Sequence, residues 1–107
     1  MMDMHRESEE PVRILRGRLA GEFAILDDLS EKFTQQSMKD SVARARSSFE
    51  EVEIALDNLG KRSQIPAIEA QTIGNANMMF ELAVPKRKQL KDSFDKWGPD
   101  TDLVPPR

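Results

Sequence analysis

Cysteine and tyrosine are absent from this 107-residue chain, histidine occurs once, tryptophan once and glycine only five times. Without cysteine there are no disulfides, thiolate metal sites or cysteine nucleophiles. A single histidine, His5, cannot build a His-based metal cluster. It lies in a polar stretch with no helical period, so it is not framed for phosphotransfer or for a catalytic triad. Residues of high β propensity never cluster in alternation, so no sheet is expected. No apolar run approaches the ~20 residues needed to cross a bilayer, so no membrane association is expected. The acidic, polar first eleven residues do not resemble a secretory signal, and a cytoplasmic location is the default expectation. The formal net charge of −3 is mild and does not suggest a general nucleic-acid binder.

What the chain has is helical period. Hydrophobic residues are 38% and charged residues 33%, a balance usual for long amphipathic helices. Its organising stretch is Met38, Val42, Ala45, Phe49, Val52, Leu56 and Leu59, which alternate in steps of four and three. Such a seam keeps one helix face apolar, and that face must be covered. An earlier helix, from about Glu9 to Thr34, carries Val12, Leu15, Leu19, Phe23, Leu26, Leu29 and Phe33. Ser8 reads as its cap, and Pro11 suits its first turn. Thr34-Gln35-Gln36-Ser37 is a polar break, with Ser37 the expected cap of the second helix. Gly60 is its expected stop. Ser63-Gln64-Ile65-Pro66 then starts a third helix with Ile73, Ala76, Phe80, Ala83, Arg87, Leu90, Phe94 and Trp97 in phase. The phase survives Pro85, which predicts a kinked helix, with a split at Val84-Pro85 as the alternative.

Charge suggests the topology. Each of the first two helices is mainly basic early and acidic late, so an antiparallel pair sets unlike halves together. The fold expected is all-α: an antiparallel three-helix bundle over residues 8–98, with a kinked or split third helix. A disordered arm (1–7) and a flexible, proline-rich tail (99–107) complete the expected organisation, and 107 residues suit one domain.

Four stretches invite a chemical reading. Glu50, Glu51, Glu53 and Asp57 are dense, but they fall between seam positions and lack a partnering histidine. A solvated face explains them better than a di-metal site. Gly17-x-x-x-Gly21 with Ala20 and Ala24 forms a small-residue patch, flanked by arginines that exclude a membrane setting. Lys86, Arg87, Lys88, Lys91 and Lys96 form a basic cluster beside Trp97 and are the candidate nucleic-acid contacts. Arg87 and Trp97 lie on the seam, which favours packing for both. Met78-Met79-Phe80-Glu81-Leu82-Ala83-Val84 is apolar nearly all round. One seam uses only half of it, so Met78, Met79, Leu82 and Val84 are the candidate partner-binding residues.

No catalytic constellation emerges, and no enzyme activity or cofactor is expected. The leading expectation is a protein–protein interaction module: a small adaptor, regulator, inhibitor or chaperone-like subunit. Its partner would be a second copy, as a homodimer, or another protein. The alternative is a nucleic-acid-associated helical module using the basic cluster.

Overall fold

A computed structural model describes the backbone of residues 2–59 and 66–102, and the side chains of 10–59 and 67–102. Among the described residues three long helices make up the fold: α1 (Met2–Lys32), α2 (Gln36–Asp57) and α3 (Pro66–Trp97). They pack against one another as an all-α bundle, with no strand among the described residues.

Ion pairs between helices give the topology. Arg16 on α1 meets Asp57 on α2, and Asp27 meets Arg46. Numbers rise along α1 as they fall along α2, so these two helices are antiparallel. Arg18 meets Glu81 on α3, and Glu22 meets Arg87. Here both numbers rise together, so α1 and α3 run parallel. Each exposed pair contributes only ~0–1 kcal/mol, but unlike charges at matching levels still discriminate between orientations.

The expected seams are the core. On α2, Met38, Val42, Ala45, Phe49, Val52 and Leu56 are buried, and Leu59, beyond the helix end, packs at the edge. On α1, Leu15, Leu19, Leu26 and Leu29 are buried, as is Phe33 just past its end, with Val12 and Phe23 beside them. On α3, Ile73, Ala76, Phe80, Ala83 and Leu90 are buried, with Phe94 at the margin. At mid-height the three helices each supply a ring. Phe49 lies edge-on to Phe23 at 6.4 Å between centroids and to Phe80 at 5.3 Å. Such edge-to-face geometry suits the ring quadrupoles. The guanidiniums of Arg46 and Arg18 close this ladder at its outer ends, over Phe23 and Phe80 respectively.

Several local expectations need correction. The α1 backbone is helical from Met2, so residues 2–7 continue the helix and Pro11 is interior to it. An interior proline loses one backbone hydrogen bond and crowds the carbonyl four residues earlier, a local cost that does not end this helix. α2 begins at Gln36 and not after Ser37. Gln35 is extended, and its carbonyl accepts the Met38 and Lys39 N–H groups, so backbone geometry replaces the serine cap. α2 ends at Asp57, with the Asn58 N–H bonded back to Ile54, so the helix stops before the expected Gly60, which lies outside the described residues. The expected cap at Ser63 lies outside them too. α3 opens on Pro66, a residue suited to the first helical position, and continues unbroken through Pro85. The split alternative is therefore set aside. Pro85 and Glu81 are both exposed, so the Glu81 carbonyl left without its N–H partner faces the wet side of the helix.

Gly98 ends α3 with φ +85°, the left-handed conformation that glycine adopts without strain, and its N–H bonds back to Phe94. The chain then turns onto the α1–α2 loop. The Thr34 N–H donates to the Pro99 carbonyl at 2.9 Å, and the Thr34 hydroxyl donates to Asp100 at 2.8 Å. The first residues of the expected flexible tail are thus tied down. Residues 103–107 lie outside the described part of the chain.

Candidate interaction surface

The four candidate partner-binding residues are divided by the fold. Met79 and Val84 pack against the core cluster. Met78 and Leu82 do not, and are 63% and 74% exposed. Helical spacing explains the division. Met79 and Val84 flank the seam marked by Phe80 and Ala83, whereas Met78 and Leu82 stand one turn apart on the far side.

That far side has a regularity of its own. Gln71, Asn75, Met78, Leu82, Pro85 and Gln89 step by four, three, four, three and four, lying alternately two residues and one residue before the core-seam positions. At ~100° per residue the mean offset of one and a half residues is about 150° round the helix, so this second row lies on the side away from the first. All six are uncharged, and all but the half-buried Gln89 are exposed. α3 therefore carries two heptad-like rows, and the bundle covers one.

Two neighbouring features extend the row. Ser48 and Glu51 of α2 join Met79, Leu82 and Ala83 around a shallow cleft of about 220 Å³. On the α1 side, Arg18 and Glu81 are bonded at 2.7 Å. One turn back from that pair, Ile14 and Met78 stand at the same level, and Ile14 is exposed as well. A row of apolar side chains in water is adaptable contact material, methionine above all.

The basic cluster is dispersed by the same helix geometry. Arg87 turns inward, where its guanidinium makes two hydrogen bonds to the Glu22 carboxylate, one of them at 2.8 Å. Its side chain is 17% exposed and that of Glu22 only 7%. The bond to Glu22 raises the guanidinium pKa above its ordinary value, against burial, which lowers it. Lys91 bonds Asp95 on its own helix, and the Lys96 ammonium sits over the Trp97 ring. Lys86 and Lys88, two residues apart, point to different sides. Trp97 is 38% exposed and is not among the side chains packed on the core, so it does not anchor the core as its seam position had suggested. Replacing Lys86, Lys88 and Lys91 together with glutamine is expected to leave the thermal midpoint within a few degrees of wild type, since exposed pairs contribute at most ~1 kcal/mol each. Melting followed by circular dichroism checks this.

Gly17 and Gly21 on α1 serve no close approach among the described residues. A methyl group placed on Gly17 or Gly21 would meet nothing within 4 Å. Gly17→Ala with Gly21→Ala is therefore expected to stabilise the fold by about 1–2 kcal/mol, through helix propensity and a less flexible unfolded chain. A higher denaturant midpoint at unchanged slope would verify it.

Glu50, Glu51, Glu53 and Asp57 are not gathered into a site. Among the described residues no group of three or more His, Cys, Asp or Glu side chains is placed to hold a metal ion. Glu50 bonds Arg46, and Asp57 bonds Arg16. No helix among the described residues is long and apolar enough to cross a membrane. The side chain of His5 falls outside the described set. The buried Glu22 is a residue that sequence reasoning missed. It sits within the first seam, between Leu19 and Leu26, and its partner Arg87 occupies a seam position on α3. Two opposite charges on facing seams were the available signal.

The sequence matches no protein-family model, and neither the curated proteins nor the solved structures contain a match to it.

Proposed function

We propose that this chain is a non-enzymatic protein–protein interaction module, acting in the cytoplasm as a small adaptor, regulator, inhibitor or chaperone-like subunit. One observation carries the reading: the uncharged outer row of α3, with Met78 63% and Leu82 74% exposed at its centre. A bundle that already buries a full seam on each helix has no internal need for this second row. Exposed apolar rows on rigid helices suit helix-to-helix docking, in which side chains one turn apart act as anchors. The cleft beside Leu82 offers a recess for an apolar side chain of the partner.

The test is affinity capture from the native host, with the wild-type chain and Leu82→Glu as baits. Captured proteins, untagged copies of the chain included, should be retained by wild type and lost by the variant. Identical capture by both baits would reject the outer row of α3 as the binding surface.

A further inference from the structure

We infer that the outer row of α3 is self-complementary and pairs with the same row of a second copy, antiparallel, about a two-fold axis at Leu82. This deepens the interaction reading above by naming the partner.

Three features of the row support a second copy. The first is the absence of charge. A charged face set against its own copy brings like charges together unless they fall symmetrically about the axis. From Gln71 to Gln89 the row holds no charge at all, in a chain that is 33% charged. Along five helical turns a copy meets no like charge within the row itself.

The second is the order of side chains. Leu82 is the most exposed of the large hydrophobic residues. With the axis there, Leu82 meets Leu82 of the copy. Met78 then lies level with Pro85 and Lys86 of the copy, so the apolar residues form one continuous centre. Asn75 lies level with Gln89 of the copy. Two amide pairs thus bracket the apolar centre, and polar residues at seam positions of this kind set register in paired helices.

The third is the rim. Glu51 lines the cleft next to Leu82, on the α2 side of the row. Lys86 lies one turn beyond Leu82 on α3. Among the described residues neither makes an ion pair within the chain. An antiparallel two-fold places the α2 side of one copy along the α2 side of the other. It brings Lys86 of each copy to the level of Met78 of the other, within about one turn of Glu51. One acid and one base, both unpaired and set across the axis from each other, satisfy an isologous contact twice over.

Sedimentation equilibrium at micromolar protein tests the pairing. The expected result is twice the chain mass for wild type and a single chain mass for Leu82→Glu with its helical circular dichroism unchanged. Glu51→Lys or Lys86→Glu alone should weaken the dimer by about tenfold, and the two together should restore most of it, since the swapped charges again face opposite signs. If Leu82→Glu loses helix, the charge swap decides on its own. A single chain mass for wild type across the micromolar range overturns the inference. So does a dimer that survives Leu82→Glu in a folded chain, or a double swap no better than its singles. A wild-type monomer that still loses a captured host protein on Leu82→Glu would reject self-pairing and leave the interaction reading standing.

Discussion

Phe49→Ala is expected to remove about 3–5 kcal/mol of folding stability. Phe49 has no exposed surface, and its ring is the middle member of the Phe23–Phe49–Phe80 ladder, the one ring that touches both others. Truncation deletes two edge-to-face contacts and leaves a cavity between three rigid helices. α2 cannot move inward to fill it, because Val42, Ala45, Val52 and Leu56 are packed above and below. A domain of this size holds ~5–15 kcal/mol in total, so the variant should be partly unfolded at room temperature or close to it. A fall of more than about 10 °C in the thermal midpoint is expected. Ile54→Ala on the exposed side of the same helix is the control and should shift stability by no more than ~0.5 kcal/mol. Equal midpoints for Phe49→Ala and wild type would mean that the second helix does not present this seam to the core.

The next largest effect should come from Arg87→Met, at about 3 kcal/mol, the low end for breaking a buried pair because Arg87 keeps some exposure. The thioether chain fills much of the space of the arginine stem but offers no donor. Glu22, 7% exposed, would then keep its carboxylate buried without the two hydrogen bonds that now hold it. The loss comes mainly from that stranded charge. Glu22→Leu combined with Arg87→Met should therefore recover most of the stability or exceed wild type, since an apolar pair of similar volume incurs no desolvation penalty. Chemical denaturation of the two single variants and the double gives the coupling directly. A double variant as unstable as the sum of the singles would show that Glu22 and Arg87 contribute independently. The pair has a second role that stability does not measure. It joins α1 and α3 across the core, where a shift of one turn would leave both charges unpaired, so it also fixes the register of these parallel helices.

These two cases divide the readable from the unreadable. Phe49 stands on a seam of strict four–three alternation from Met38 to Leu59, and its burial follows from spacing alone. The same holds for Leu15, Leu26, Val52, Phe80 and Leu90, because a three–four alternation specifies one face of a helix whatever covers it. Antiparallel order also followed from the sequence, through the opposed charge halves of α1 and α2. Helix ends were less legible. Gln35 caps α2 with its backbone and not with a side chain, and the docking of Pro99 and Asp100 on Thr34 joins residues 65 and 66 positions apart. No local pattern announces such contacts.

The candidate surface was legible in outline. Residues 78–84 hold more apolar positions than one seam can bury, and that excess was visible without coordinates. Which side chains would remain outside depended on the rotation of α3 against its neighbours. Packing turned Met79 and Val84 to the core edge and left Met78 and Leu82 in water. The same rotation carried Arg87 inward to Glu22 and scattered the lysines that the sequence lists side by side. Sequence by itself determined the three long helices, which face of each would be apolar, and that no metal-binding cysteine framework would exist. Only the tertiary structure decided which charges became partners and which apolar residues stayed exposed. The physical reason is that periodicity acts within one helix, whereas partners are chosen by the angle and level at which separate helices meet.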